Sequence, residues 1–362
     1  MWGYMMLIRC LIAVVALLGL AGPVGAQGLS VKLDADAARA VLAAVRNPAL
    51  TREQALAIAR LPGNQGLIRK VKSYNQPADE ARLADALLTA AQGRTSETGG
   101  EYKFAEVRDN ADKIAPVVEA LADPASLSGV QARIALFTPA RVAGRATGYL
   151  IVGGPSGGFA FGEPEFYLNI ARYPVPSLAR IIMGHELFHG VQGLALGLKP
   201  QGAAAAACLA KMPEAENLGR LFGSLRDEGM ASYVGDVLAL PVDDLAAKPE
   251  RDRAQRRVNM VGSSITLLGL STYALTSGSG IAYDDIYALG FYGDEILYSL
   301  GYVMVRAIAA EQGNAGVADL IDQPGAVLVA RYLSLAGYGK SKAVPALDPV
   351  TVTWARRLAA CG

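Results

Sequence analysis

One short segment of this sequence, residues 183–189, combines the residue types that bind a catalytic metal. It reads MGHELFH, so His185 and His189 are four positions apart and lie one above the other on the same face of a helix. Glu186 is turned by about 100° from His185 and can reach the water that a bound metal activates. The pattern predicts a zinc site with His185 and His189 as ligands and Glu186 as the general base.

The helix predicted around these histidines, residues 177–192, is otherwise strongly apolar and has Ser177 as its expected N-cap. Two histidines buried in a core are the alternative interpretation of the motif. Unpaired imidazoles would be costly in such an apolar helix, and these two are all the histidines of the chain. Both observations favour metal binding.

A catalytic zinc ion takes three protein ligands and leaves one position open. Because the sequence has no third histidine, the third ligand must be a carboxylate or, as a weaker candidate, Cys208. Glu228 is the best carboxylate candidate. It lies in a predicted helix, 218–240, and is followed by small residues that would let this helix cross the histidine helix closely: Gly229, Ala231 and Ser232. Glu214 and Glu216 are rivals, although their surroundings are typical of solvated loop acids.

The histidine segment and a later one, Glu228-Gly229-x-Ala231-x-Tyr233, together resemble the gluzincins, zinc peptidases with a His-His-Glu site. More narrowly, the chain is similar to bacterial families that are known only through their classification as zinc-dependent peptidases. The resemblance covers about residues 130–335 and leaves the N-terminal helices outside. It implies a zinc-dependent hydrolase that acts on peptide or protein substrates, with His185, His189 and Glu228 as ligands.

In many thermolysin-like members of that family, an aspartate four residues after the ligand glutamate orients an imidazole ring. In this chain the position is Ser232, and Asp236 follows one turn later. The resemblance therefore predicts a hydrogen bond between a ligand histidine and one of these two side chains.

Peptide hydrolysis develops negative charge on the attacked carbonyl oxygen, which a positioned hydrogen-bond donor stabilises. With no further histidine, the donor must be a tyrosine, an arginine or the backbone. Tyr298-x-x-Gly301 is similar to the Tyr-x-x-Gly of aminopeptidase N-type gluzincins, in which the tyrosine has this role. Tyr298 is therefore the first candidate, followed by Tyr302 and Tyr292. Aromatic residues that only fill a core are the alternative.

The substrate preference is indicated by one missing motif and one strand. The Gly-x-Met-Glu-Asn signature of exopeptidases in that family does not occur, which favours an endopeptidase. In gluzincins a strand before the active-site helix is an exposed edge that pairs with the substrate backbone. The segment 166–170 alternates like a strand and ends shortly before the helix, so it could bind substrate by strand addition. An interior strand that meets no substrate is the alternative.

The remaining pattern predicts an α+β fold that is predominantly helical. Residues 27–129 indicate a helical N-terminal lobe, and residues 130–362 a zinc metallopeptidase-like domain with a helical C-terminal lobe. In this domain we expect a small, mostly antiparallel sheet packed on the helix 177–192. Its strands are predicted at 133–137, 147–152 and 159–171. The glycine-rich segment 153–158 is predicted to be a hairpin turn.

Residues 1–26 have the three parts of a secretory signal peptide. Arg9 is the basic residue, an apolar run occupies 11–20, and small residues precede a cleavage site after Ala26. We expect a periplasmic or secreted protein with no stable membrane span after cleavage. An uncleaved membrane anchor and a lipoprotein modified at Cys10 are the alternatives.

The charges of the chain are balanced, with 34 basic and 33 acidic side chains. This balance argues against a nucleic-acid partner, because a general nucleic-acid binder shows a basic stripe. In an oxidising compartment, Cys208 and Cys361 could form a disulfide. Two unrelated free thiols are an equal alternative.

The sequence therefore predicts an exported zinc endopeptidase. Two other classes fit the same residues. One is a catalytically inactive zinc-binding protein, and the other is a structural envelope protein in which a closed four-ligand site, for example with Cys208, holds two helices together. The intact Glu186 argues against the first, because an inactive protein needs no general base.

Overall fold

The computed structural model describes residues 28–94, 100–198, 202–292 and 295–362. Within these ranges the chain is predominantly helical with one small sheet, which confirms the predicted α+β class. The predicted signal peptide lies outside the described residues. The predicted domain boundary at residues 129 and 130 stays a prediction.

The sheet is mixed, so the expected mostly antiparallel arrangement was wrong. Its strands are β1 (Leu29–Asp34), β2 (Gly144–Ile151), β3 (Gly158–Ala160) and β4 (Glu165–Asn169). The strand order is β1-β2-β4-β3; the first two pairs are parallel and only the pair of β4 with β3 is antiparallel. One physical reason is that β3, which follows β2 in the chain, lies beyond β4, so that β4 pairs with β2 in parallel. The other is β1, which comes from a segment expected to be helical. A parallel partner needs a long crossover, and the helices between β1 and β2 provide it.

Seven α-helices lie between β1 and β2 in the described residues. They are α1 (Asp36–Ala44), α2 (Arg52–Ala59), α3 (Pro62–Ser73), α4 (Glu80–Ala91), α5 (Phe104–Asp109), α6 (Ala111–Ala122) and α7 (Pro124–Ala135). The predicted strand at 133–137 was wrong, because most of these residues belong to the end of α7. This helix is capped by Asp123 and buries Val130 and Ile134, which are four positions apart as a helical face requires.

Nine further α-helices follow the sheet in the described part of the chain. They are α8 (Pro176–Leu198), α9 (Ala203–Leu209), α10 (Ala215–Val234), α11 (Lys248–Asn259), α12 (Val261–Thr276), α13 (Tyr283–Phe291), α14 (Ile296–Ala318), α15 (Gly325–Leu333) and α16 (Pro349–Ala359). None of the described helices alone is long and apolar enough to cross a membrane. The pair α11 and α12, which is bent by 59°, would together be long and apolar enough, by length and composition only.

Helix α8 carries the histidine motif and packs on one face of the sheet, whereas α1 and α3 cover the other face. The predicted helix 177–192 is confirmed, and α8 extends beyond it at both ends. Ser177 is not its N-cap, because the helix already begins at Pro176. The Ser177 hydroxyl donates a hydrogen bond to Asp244 instead.

The glycine-rich segment 153–158 connects β2 to β3, which are not neighbours in the sheet, so the predicted hairpin turn was wrong. The buried amide of Asn169, at the end of β4, holds this segment in place. Its Oδ1 accepts from the Gly153 amide at 3.0 Å, and its Nδ2 donates to the carbonyl oxygens of Gly153 at 2.7 Å and Ser156 at 2.9 Å. Gly153 and Gly154 have φ values of 115° and 81°, which only glycine adopts easily.

Helix α10, which carries Glu228, packs closely against α14 through two glycines. A Cβ at Gly229 would approach the Cα of Gly301 within 2.7 Å, so glycine is needed at this crossing. We expected Gly229 to make room for α8, and this was wrong. The close approach to α8 occurs at Gly235, just after α10, where a Cβ would lie 2.9 Å from the Cβ of His185.

Cys208 and Cys361 are joined by a disulfide, with their Cα atoms 5.5 Å apart. The bond attaches α9 to the end of α16. Helix α9 contains the alanine run and lies between α8 and α10 in the chain. The disulfide therefore fixes the connection between the two helices that carry the predicted metal ligands.

Candidate metal centre

The side chains of His185, His189 and Glu228 meet between α8 and α10. The Nε2 atoms of the two histidines are 3.1 Å apart. Glu228 Oε2 lies 3.2 Å from His189 Nε2 and 3.5 Å from His185 Nε2. In a tetrahedral zinc site with bonds of about 2.0–2.1 Å, the ligand atoms are about 3.3 Å apart. These three atoms therefore have the spacing of ligands to one zinc ion.

The surroundings of Glu228 also fit a bound cation. Its side chain is 13% exposed, and its buried Oε2 atom has no hydrogen-bond partner among the described residues beyond the two imidazole Nε2 atoms. A buried carboxylate oxygen is costly in this position unless a cation or a donor reaches it. Two imidazoles and one carboxylate are a donor set of catalytic zinc sites, so these residues fit zinc.

The rival third ligands lie elsewhere. Glu214 and Glu216 are at the beginning of α10, about three turns before Glu228. Cys208 is bonded to Cys361. Of the acids and thiols that the sequence left open, Glu228 is the one that the fold brings to the histidines.

In the metal-free site, the charges of His189 and Glu228 are coupled. Burial alone would lower the pKa of His189, but the adjacent Glu228 carboxylate raises it to about 10. Burial alone would raise the pKa of Glu228, but the two imidazoles hold it well below its usual range. Because a histidine binds metal in its neutral form, zinc binding by His189 would compete with protonation of its ring.

Glu186 lines the cleft that opens onto these ligands, a cavity of about 920 Å³. The residue is 8% exposed. Its carboxylate rests against the backbone of β3, where a Cβ at Gly158 would collide with it. Burial raises the pKa of Glu186, although the two nearby histidines oppose this shift. The carboxylate predicted as the general base is thus fixed in the cleft beside the three ligands.

A family model described as "Putative zinc dependent peptidase (DUF5700)" matches residues 57–341, more than three quarters of the chain. The chain belongs to this family. The match begins well before residue 130, where the resemblance was expected to begin, and it includes α3, which packs on the sheet. No curated protein and no solved structure matches the sequence.

Zinc is confirmed as the cofactor of this peptidase family member. The family is described as zinc dependent, and the chain brings together three side chains that can hold the ion. The catalytic roles of individual residues stay predictions.

A residue that the sequence analysis missed holds the second ligand histidine. Gln192, one turn after His189 on α8, is buried. Its Oε1 lies 2.9 Å from His189 Nδ1, a distance at which the ring can donate a hydrogen bond to it. Its Nε2 donates a hydrogen bond to the carbonyl oxygen of Asp227 at 3.0 Å. Gln192 therefore orients the imidazole and links α8 to α10. The signal in the sequence was a polar residue on a helix that is otherwise apolar.

Neither Ser232 nor Asp236 is hydrogen-bonded to a ligand histidine within the described residues, so this expectation was wrong. Asp236 instead accepts a bond from the Tyr302 hydroxyl at 3.1 Å. The reason is that α10 ends at Val234, so Asp236 does not continue the helical face on which Glu228 lies.

We expect Gln192→Leu to weaken zinc binding by about 10- to 100-fold, because His189 would lose the acceptor that fixes its ring and tautomer. Zinc affinity of the metal-free protein, measured by competition with a chelator, checks this. Gln192→Glu keeps an acceptor at the same position and should retain more of the affinity. An affinity equal to that of the wild type in Gln192→Leu would show that the contact does not support the ligand.

The structure places Tyr298 beside a ligand histidine. Its ring is nearly parallel to that of His185, with the ring centroids 6.3 Å apart, and it lines the cleft. Burial raises the pKa of Tyr298 well above its usual value, so the hydroxyl keeps the proton that a donor needs. Tyr302 is bonded to Asp236 and Tyr292 is 52% exposed, which makes both weaker candidates.

Tyr173 and Tyr287 are two of the other tyrosines that line the cleft, and the sequence analysis named neither of them. The hydroxyl of Tyr173 lies against Gly157, where a Cβ would collide with it. The ring of Tyr287 stacks on that of Phe291, with centroids 5.0 Å apart. Their positions depend on the fold around α8 and α13, and no motif marked them in the sequence.

The strand edge at the cleft is β3, not the segment 166–170. That segment lies mainly in β4, which has β2 on one side and β3 on the other, so the alternative of an interior strand is confirmed. Residues 158–160 of β3 line the cleft, and their second edge is unpaired within the described part of the chain.

Proposed function

We propose that this protein is an exported zinc-dependent endopeptidase of the gluzincin type. The observation that carries the proposal is the spacing of the His185, His189 and Glu228 ligand atoms, with Glu186 in the same cleft. Three protein ligands are the number found in catalytic zinc sites, which keep a position open for water or substrate. This arrangement favours a hydrolase over the closed four-ligand site of a structural protein.

Zinc, when bound, supplies Lewis acidity toward a carbonyl oxygen and toward a water molecule. Glu186 would accept a proton from the attacking water and give it to the leaving amine. The contact with Gly158 keeps this carboxylate between β3 and the ligands. The Tyr298 hydroxyl, beside His185, would donate a hydrogen bond to the oxygen on which negative charge develops.

The free edge of β3 offers a place for the substrate backbone. An extended peptide that adds to this edge runs beside Glu186, because Gly158 touches that carboxylate. Main-chain hydrogen bonds to a strand edge bind a peptide without requiring a chain end. This supports cleavage of internal bonds, as does the lack of an exopeptidase signature in the sequence.

Two observations support export. Residues 1–26 have the composition of a signal peptide. The disulfide between Cys208 and Cys361 is typical of proteins in oxidising compartments. A periplasmic or secreted location is consistent with both.

We expect Tyr298→Phe to lower kcat by about 100-fold without changing the zinc content, because the variant keeps the ring and loses only the hydroxyl donor. The rate of the zinc-loaded variant on a quenched fluorescent peptide checks this. Tyr302→Phe is the matched control, because its hydroxyl is bonded to Asp236, and its loss of rate should be no more than about fivefold. Equal losses in the two variants would contradict the role of Tyr298.

The proposed function is tested with the zinc-loaded protein and an unfolded protein substrate, whose fragments are identified by mass spectrometry. We expect new ends at internal positions, loss of cleavage after chelation and recovery when zinc is added back. Stepwise shortening from one end would instead indicate an exopeptidase. Zinc binding without any cleavage would leave the alternative, an inactive zinc-binding or structural protein with the same fold.

A further inference from the structure

The cleft contains a cation that the proposed reaction does not use. Lys70, on α3, lines the cleft beside the free edge of β3. Its Nζ atom lies 5.0 Å from the ring centroid of Tyr74 and 5.4 Å from that of Phe159, so two aromatic rings help to position the ammonium group. Lys70 forms no ion pair with any described residue.

Most other charged groups of the cleft already have partners. The ion pairs are Arg257 with Glu295, Arg253 with Glu250 and Arg226 with Asp227. Asp236 accepts a hydrogen bond from Tyr302. Arg172 also lines the cleft without an ion pair among the described residues. A hydrogen bond from a neutral hydroxyl does not compensate the carboxylate of Asp236. Apart from Asp236, Glu186 and the metal ligands, the uncompensated charge of the cleft is therefore positive.

The alternation of β3 determines which part of a bound peptide meets Lys70. Phe159 pairs with Tyr167 of β4, and their rings stack with centroids 4.9 Å apart on the face covered by α3. Gly158, one position earlier, faces the opposite side, where Glu186 lies. A peptide strand added to β3 alternates in the same way. The peptide bond that lies beside Glu186 is the one that would be cleaved. Of the two residues that flank this bond, one therefore has its side chain on the face of the sheet where Lys70 lies.

We propose that Lys70 forms a subsite for the carboxylate of a substrate residue that lies directly beside the bond that is cleaved. The proposal rests on the proposed peptidase function and names its substrate class, peptides with Asp or Glu beside that bond. Lys70 is partly buried, and a partly buried charge is screened less by solvent and salt than an exposed one, so it discriminates charge more strongly. Tyr74, whose hydroxyl is hydrogen-bonded to that of Ser156 at 2.6 Å, attaches this subsite to the glycine-rich segment.

A carboxylate could come from an acidic side chain or from the C-terminus of a peptide. The free edge of β3 does not select a chain end, which is the reason for assigning the side chain. Peptides with an amidated C-terminus carry only the side-chain carboxylate, and they distinguish the two sources.

The test uses quenched peptides of one cleavable sequence, taken from the fragments of the unfolded protein substrate and amidated at the C-terminus. They differ only in the residue beside the cleaved bond, which is Glu, Gln or Lys. We expect the wild type to cleave the Glu peptide about five- to tenfold faster in kcat/KM than the Gln peptide, and the Lys peptide more slowly. Lys70→Glu should reverse this order, and Lys70→Gln should remove the preference for Glu.

Lys72→Glu is the matched control, because it makes the same change of charge at an exposed position of α3 that does not line the cleft. It should keep the order of the wild type. The same order in Lys70→Glu as in the wild type, or a preference for acids that appears only with free C-termini, would overturn the subsite. If the wild type cleaves neither the peptides nor the unfolded protein, the proposed function itself fails, and the subsite fails with it.

Discussion

Glu186→Gln should abolish peptide cleavage while zinc remains bound. The substitution keeps the size of the side chain that packs against Gly158, but it removes the carboxylate that would accept the proton of the attacking water. We expect kcat to fall by about 10³- to 10⁴-fold. Zinc content should not change, because Glu186 is not one of the three residues whose ligand atoms meet.

The measurement combines kcat on a quenched peptide with the metal content of the same sample. Glu216→Gln is the matched control, since it makes the same chemical change at an exposed position on α10 and should cleave at the rate of the wild type. A fully active Glu186→Gln variant would refute the general-base role and leave the metal site intact as a separate conclusion.

Glu228→Ala should lower the affinity for zinc by on the order of 10³-fold, because it removes one of three protein ligands and leaves only two imidazoles. The second readout is thermal. A ligand that binds only the folded chain raises its Tm, so saturating zinc should stabilise the wild type and have little effect on the variant. Cleavage should disappear at zinc concentrations that saturate the wild type.

Calorimetric titration of the metal-free proteins gives the affinity and the number of zinc ions per chain. Glu216→Ala, at the beginning of the same helix, is the control and should bind zinc like the wild type. One zinc ion per chain at unchanged affinity in Glu228→Ala would mean that a different group completes the site.

The residues of the candidate metal centre could be predicted because the geometry of the histidine pair is local. The spacing of His185 and His189 fixes their relative position on any helix, and the absence of a third histidine reduced the remaining candidates to a few acids and one thiol. Glu228 was reached through the small residues that follow it. That reason was partly wrong, because Gly229 packs against Gly301 of α14 rather than against α8.

The sheet and the support of the site could not be predicted, because they depend on contacts between distant parts of the chain. Leu29 pairs with Gly144, and no pattern in a six-residue strand indicates a parallel partner so far away. The role of Gln192 depends on the orientation of the His189 ring and on the approach of α10. Neither is encoded by the residues next to it.

The shortness of the edge strand beside Glu186 has a consequence for the behaviour of the protein in solution. An open strand edge is a template for association between protein molecules, and long flat edges lead to aggregation. Residues Gly158–Ala160 offer only a few main-chain hydrogen bonds, too few to join two copies of the chain firmly. In the proposed function they would suffice to align the few residues around one peptide bond, so β3 could stay open to a substrate strand at little risk of fibril growth.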